Sequence, residues 1–177
     1  MNRPEDVVVV VAEDDPGHAR LIEKNLRGVI ANKVVKFSNG QEALEYLYRE
    51  EEANRQHLLL LDLNMPVMDG YQVLQHLKAN PRTVLIPVIV LTTSDDPREI
   101  QRCYELGCNA YVVKSADYEQ FTEAMRRLGL FLAVSRMPQG GISLTIPGAP
   151  CGIGLAVSKP TGWSAPAAGK DPGGLQD

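Results

Sequence analysis

Residues 58–70 read LLLLDLNMPVMDG. Four consecutive leucines carry neither a helical period nor an alternation, the pattern of a strand covered on both faces inside a parallel sheet. The run stops at Asp62, so a carboxylate emerges at the strand's C-terminal edge, where open α/β sheets hold their ligands. Asn64, Pro66, Asp69 and Gly70 supply the turn chemistry that leads the chain into a helix. Alone, an acid after an apolar run is as readily a turn cap as a functional group, and its neighbours must decide.

Upstream, residues 7–11 are five valines, another doubly covered strand, ending in Glu13-Asp14-Asp15. Pro16 suits the first turn of a helix capped by Asp15, with Leu21, Ile22, Leu26 and Val29 as its apolar stripe. Residues 33–37 (KVVKF) form a shorter, less apolar strand fit for a sheet edge, and Ser38-Asn39-Gly40 turns into a helix carrying Ala43, Leu44, Leu47 and Tyr48. The charged run 49–55 reads as a solvated helix end and loop.

Downstream, residues 71–79 form a helix stopped by Asn80-Pro81, and 87–91 (PVIVL) a fourth strand running into Thr92-Thr93-Ser94. Asp96-Pro97 opens a helix through Ile100, Cys103 and Tyr104, closed by Gly107. Residues 110–113 (AYVV) are a fifth strand ending at Lys114, and a last helix covers about 117–132 with Phe121, Ala124, Met125, Leu128 and Leu132 on one face. Five strands alternating with five helices define an α/β fold, a doubly wound five-stranded parallel sheet with right-handed crossovers.

The 177 residues suffice for one domain with a true core and hardly for two. A net charge of -4 without a basic cluster gives nucleic-acid binding no electrostatic support. Cys103, Cys108 and Cys151 lack histidines at metal-ligand spacing and read as free thiols of a reducing compartment. The N-terminal apolar run is too short, and too closely bounded by acids, for a signal peptide or membrane span, so the expected location is the cytoplasm. From Pro138 onward the composition shifts: residues 138–177 hold 9 of the 15 glycines and 6 of the 12 prolines, the signature of a flexible tail behind a domain of residues 1–137. Within that tail, 142–146 (ISLTI) has the pattern of a strand in search of a partner.

Asp14, Asp62, Thr92 and Lys114 each follow a different strand, and a parallel sheet brings those ends to one edge. Carboxylates from Asp14 and Asp62 repel one another unless a hard cation sits between them, and Mg²⁺ suits such an oxygen-rich pocket. Glu13 acts on the ion through water, and the Asn64 backbone carbonyl is a further ligand. A hydroxyl (Thr92) and an ammonium (Lys114) opposite an ion are what a transferred phosphoryl group needs for its equatorial oxygens, with Asp62 as acceptor.

Over residues 7–132 the chain resembles a response-regulator receiver domain of the two-component systems, on the strength of Glu13-Asp14, DLNMPVMDG, Thr92 and the Tyr111-Val112-Val113-Lys114 ending. The resemblance implies a flavodoxin-like strand order of 2-1-3-4-5 and phosphoryl transfer to Asp62 from a phosphohistidine of a sensor kinase. It also implies Mg²⁺ held by Asp14, Asp62 and the Asn64 carbonyl, and a switch in which Thr92 follows the phosphate, Lys114 contacts it and Tyr111 changes rotamer. AEDDPGHARLIEKNL, VIVLTTSDDPREIQRCYELGCNAYVVK and LGLFLAVSRMP resemble the single-domain regulators that serve bacterial phytochromes. That implies a bacteriophytochrome as kinase and a homodimer built on the last helix, with Phe121, Met125, Leu128, Leu130, Phe131 and Leu132 as interface candidates.

One position departs from the pattern. Receivers carry proline after the lysine, in a cis peptide; Ser115 stands here, so a trans bond and a displaced Lys114 loop are expected. Two further readings remain beside the signalling switch. An aspartyl-phosphate phosphohydrolase wants an acid/base carboxylate two residues after its nucleophile, where Asn64 stands, and a dimerisation module that has lost phosphotransfer rests on Ser115 alone. His18 sits beside the expected pocket, whereas His57 and His76 have no evident partner. Asn64 and Ser94, two beyond Asp62 and Thr92, are positions that tune hydrolysis.

Overall fold

The valine and leucine runs become the centre of a parallel sheet because their β-branched and apolar side chains are covered from both sides. The computed structural model describes residues 7–28, 30–52, 55–115 and 117–134, the side chains of 50 and 129–134 excepted. The strands are β1 (Val8–Ala12), β2 (Val34–Phe37), β3 (His57–Asp62), β4 (Val88–Thr92) and β5 (Ala110–Val113). They alternate with α1 (Pro16–Arg27), α2 (Gly40–Leu47), α3 (Gly70–Ala79), α4 (Pro97–Glu105) and α5 (Tyr118–Val134). The sheet is parallel throughout, in the order β2-β1-β3-β4-β5, as expected from the sequence. All residues of β1, β3 and β4 are buried, while β2, the less apolar run, is an edge strand of intermediate exposure.

The pleat sorts each strand into two layers. Val8, Val10, Leu59, Leu61, Val88, Val90 and Tyr111 pack with α2, α3 and Cys103 of α4. Val9, Val11, Leu58, Leu60, Ile89, Leu91 and Val112 pack with Ile22 and Leu26 of α1 and Phe121 and Met125 of α5. Helix starts follow the expected caps: the Asp15 side chain accepts from His18 N, and Asp96 accepts from Arg98 N. Asp69 and Gln72 form a reciprocal capping box at the start of α3. Gly107, at φ +97°, takes the left-handed conformation that closes α4.

Two expectations need correction. Phe121 and Met125, 3% and 0% exposed, are buried in the layer between α5 and its own sheet, so these two side chains are not available to a partner surface. A helix that must cover its own sheet needs its broadest apolar residues for that purpose first. Leu128 packs half-buried at the margin of the same layer, and the side chains of Leu130, Phe131 and Leu132 lie outside the described residues, as do Val29, Cys151 and residues 138–177. The second correction concerns the charged run 49–55. A 3₁₀ turn, Glu50–Glu52, interrupts it, and Glu52 is buried rather than solvated. Its carboxylate lies 3.0 Å from Nε2 of His57, itself buried at the start of β3, so His57 has a partner after all.

Candidate functional site

Strand register assembles the site before any side chain is considered. Ala12 pairs with Leu61, so Glu13 comes level with Asp62; Asp62 pairs with Leu91, one residue short of Thr92; and Thr92 pairs with Val113, one short of Lys114. The pleat then divides these residues. Asp62 shares its alternation with Leu58 and Leu60, Glu13 with Val9 and Val11, and Lys114 with Val112, all on the α1/α5 layer. Thr92 and Tyr111 alternate with Val90, on the α4 layer.

On the α1/α5 side, Glu13, Asp14 and Asp62 each offer a carboxylate oxygen within 4.8 Å of the others. Glu13 and Asp62 are buried, and Asp14 is exposed at the mouth. Lys114 Nζ donates to Glu13 Oε2 at 2.6 Å and stands 3.3 Å from Asp62 Oδ2. Asp62 Oδ1 accepts the Leu63 amide at 2.8 Å, and Glu13 Oε1 accepts the Asp15 amide at 3.2 Å. Burial lifts the Glu13 carboxyl above its ordinary value against the pull of Lys114, and the Asp62 charge adds to the lift. Three carboxylates facing one ammonium leave the cluster short of positive charge. All-oxygen, hard donors partly open to water are the donor set that suits Mg²⁺, so the residues fit a divalent ion.

Lys114 therefore reaches the pocket although no described peptide bond is cis, the Lys114–Ser115 bond included. The expectation of a trans bond is met, and the lysine still contacts both buried carboxylates. The Lys114 amide donates to the Thr92 carbonyl at 2.6 Å, which continues the β4–β5 ladder past Val113 and carries the lysine over the pocket.

The acceptor loop is held by close backbone approach. Gly70 N donates to Leu63 O at 2.9 Å, and a Cβ on Gly70 would lie 2.4 Å from Asp62 O. Asn64 is exposed on this loop, two residues past Asp62. Val67 has φ +67°, and Met68 N donates to Pro66 O at 2.8 Å, a tight three-residue turn.

On the α4 side, Thr92 is fully buried and its Oγ1 accepts from Ser94 N at 3.4 Å. The Tyr111 ring is turned inward, its hydroxyl donating to Ser94 O at 3.0 Å, and burial pushes its pKa upward. Thr92 and Tyr111 thus meet at one loop, 92–96, which leads into α4. Cys103 and Cys108 are buried free thiols, raised by burial to about 11 and about 12, which leaves them protonated and unreactive.

His18, expected beside the pocket, stands next to Glu13. Its Nδ1 lies 3.6 Å from Glu13 Oε1, and the side chain is 43% exposed at the rim. The signal was its place in the first turn of α1, four residues past Asp14.

The pattern described as the response regulator receiver domain matches residues 9–126. Response regulator Rcp1 of Synechocystis is 33% identical over 128 residues, covering 70% of this chain and 87% of Rcp1. Among solved structures, a response regulator receiver domain from Rhodospirillum rubrum superposes with a TM-score of 0.70 at 48% identity, covering 75% of this chain and 97% of the other. The phosphorylated cyanobacterial phytochrome response regulator RcpA superposes with a TM-score of 0.66 at 34% identity, covering 73% and 96%. A parallel sheet in the order 2-1-3-4-5, an acid-lined edge with a lysine across it, and these likenesses lead to one conclusion: the chain belongs to the response regulator receiver domain family.

Proposed function

We propose that Asp62 accepts a phosphoryl group from a phosphohistidine of a sensor kinase, a bacteriophytochrome, and that the cytoplasmic chain signals through protein contacts. The observation that carries this reading is the shared lysine: Lys114 Nζ stands 2.6 Å from Glu13 and 3.3 Å from Asp62, poised to follow charge from one carboxylate to a group built on the other. In the transfer, an Asp62 carboxylate oxygen forms a bond to phosphorus as the bond from phosphorus to imidazole nitrogen breaks and the imidazole leaves with that electron pair. Asp14, Asp62 and the Asn64 carbonyl would hold Mg²⁺, with Glu13 acting through water, and the ion would neutralise charge on the phosphoryl oxygens. Lys114 compensates the added negative charge from the other side, and the Leu63 amide fixes the acceptor carboxylate.

The readout runs through the α4 layer. A Thr92 hydroxyl drawn toward the phosphoryl group gives up the Ser94 amide, and the loop that Tyr111 grips by Ser94 O moves with it. The likeness to phytochrome response regulators supports a phytochrome kinase, and Leu128, Leu130, Phe131 and Leu132 remain the dimer candidates on α5. No helix among the described residues is long and apolar enough to cross a membrane.

Acetyl phosphate with Mg²⁺ should add one phosphoryl group to the wild type, read by intact mass, and none to Asp62→Asn. Labelling that survives the substitution would refute the assignment. Transfer from an autophosphorylated bacteriophytochrome should depend on the same residue.

A further inference from the structure

We propose that Ser115 is a positioning residue for phosphoryl transfer: its hydroxyl ties the chain after Lys114 to the first turn of α5, and so holds the ammonium where it meets both Glu13 and the group built on Asp62. This rests on the reading of Asp62 as acceptor and Lys114 as its charge partner. It gives a task to the position where the sequence departs from the receiver pattern.

Lys114 has to be held from two sides. Its amide donates to Thr92 O at 2.6 Å, which anchors the backbone where it enters from the sheet. β5 ends at Val113, and the trans peptide to Ser115 then leads the chain away from the ladder. A small change in backbone direction at this point is magnified at Nζ, the end of a flexible four-carbon stem.

The Ser115 hydroxyl supplies the second anchor. It accepts the Asp117 amide at 3.1 Å and donates to Gln120 Oε1 at 3.2 Å, which commits its one proton and one of its two lone pairs. Both partners belong to the start of α5. Asp117 Oδ1 accepts the amides of Glu119 at 2.8 Å and Gln120 at 3.2 Å, and Asp117 O accepts Phe121 N at 3.0 Å. Phe121 is 3% exposed in the α1/α5 layer, so the turn that Ser115 grips is fixed on the face of the sheet to which Asp62 and Lys114 belong.

The placement that results leaves little latitude. Nζ stands 2.6 Å from Glu13 Oε2 and 3.3 Å from Asp62 Oδ2, and Lys114 is 7% exposed, so water does little to make good a loss of position. Charge-assisted contacts are short, and in a buried site their energy depends strongly on distance. The two partners of the hydroxyl both lie on the helix side of the loop, so its effect reaches the phosphoryl group only through Lys114.

The rate at which full-length protein takes a phosphoryl group from acetyl phosphate with Mg²⁺, followed by intact mass, provides the test. Ser115→Ala should slow it about fivefold, and Ser115→Thr, which keeps the hydroxyl, should bring it back to within about twofold of the wild type. Asp117→Ala keeps the Asp117 amide and removes a helix cap, so it should lower the thermal midpoint more than Ser115→Ala does and slow phosphorylation less. In a Lys114→Met background, Ser115→Ala should bring no further slowing, because the group it positions is gone. Failure of Ser115→Thr to recover the rate, or the same proportional loss on top of Lys114→Met, would overturn the proposal. Slowing that tracks lost stability across Ser115→Ala and Asp117→Ala would reduce Ser115 to a helix cap and overturn it equally. A wild type labelled at Asp62 with Ser115→Ala labelled as fast removes this inference alone; a label that survives Asp62→Asn removes the acceptor reading with it.

Discussion

The sheet buries charge at both of its ends, and the two ends do so in opposite ways. At the N-terminal end of β3, Glu52 and His57 form a complementary pair at 3.0 Å, with the Tyr46 ring edge-on to the imidazole at 5.9 Å. The Tyr46 hydroxyl faces Glu52 without meeting hydrogen-bond geometry, and burial together with that carboxylate pushes it up to about 12. At the C-terminal end, Glu13 and Asp62 are buried side by side with Asp14 at the mouth and one lysine between them. The first arrangement meets its buried carboxylate with a partner from within the chain. The second leaves a deficit that only something from outside can meet, and that is the physical mark of a working site.

The largest effect is expected where the working end is built, at Gly70. An added Cβ would stand 2.4 Å from Asp62 O and 2.8 Å from Leu63 Cα, both backbone atoms that cannot turn aside. Gly70→Ala should lower stability by about 3 kcal/mol in denaturant titration, and displace the acceptor enough to slow phosphorylation. A variant of normal stability would mean that the loop yields more freely than its contacts indicate.

At the opposite end, Glu52→Gln keeps the shape and removes the charge, and should cost about 2 kcal/mol. Burial alone would raise the Glu52 carboxyl, but His57 and Tyr46 outweigh it, and the group is held below its ordinary value of 4.5. A depressed carboxyl contributes stability that is complete above its unfolded pKa and is lost as pH falls through the folded one. The gap between wild type and Glu52→Gln should therefore be full above pH 4.5 and narrow below it. A gap independent of pH would assign Glu52 a packing role only.

How far these two ends were legible in the sequence differs for a physical reason. The working end follows from topology: uninterrupted runs such as residues 7–11 and 58–61 can only be doubly covered parallel strands, and such strands carry Asp14, Asp62, Thr92 and Lys114 to one edge whatever their spacing. Even the split between the two layers can be read from alternation, since Asp62 keeps step with Leu58 and Leu60 while Thr92 keeps step with Val88 and Val90. The Glu52–His57 pair was hidden because its partners lie on a 3₁₀ turn and a strand, where no fixed period relates them. Phe121 and Met125 misled because an apolar stripe looks the same whether it faces a sheet or a second molecule. Ser115 alone does not say where Lys114 goes; the Lys114 amide bonded to Thr92 O carries it to the pocket.

The comparison is sharpened most directly by reversing the sign of the effect. Asp62→Asn removes one of two buried like charges while Lys114 keeps the nearer Glu13, so it should stabilise the protein in divalent-free buffer by about 1 kcal/mol, where Glu52→Gln destabilises it. Mg²⁺ should then raise the melting temperature of the wild type and leave that of Asp62→Asn nearly unchanged, since an ion stabilises only a fold that binds it. A loss of stability in Asp62→Asn without metal would show that Lys114 satisfies both carboxylates.

The smallest effect belongs to Val67. A β-branched residue at φ +67° opposes its own backbone preference, and at 76% exposure its side chain has almost no packing to compensate. The turn falls on this residue because Pro66 before it has a fixed φ and Gly70 after it must pass close to Asp62, which leaves position 67 to reverse the chain. Val67→Gly relieves the strain but loosens the unfolded chain, for a net gain of about 1 kcal/mol or less in thermal or denaturant unfolding. Because the strain sits five residues from the acceptor, the same variant separates two uses of that conformation. Unchanged acetyl phosphate kinetics with raised stability would make Val67 a tolerated misfit, whereas slower phosphorylation in the more stable protein would mean that the strained turn holds the Asp62 loop in its reactive position.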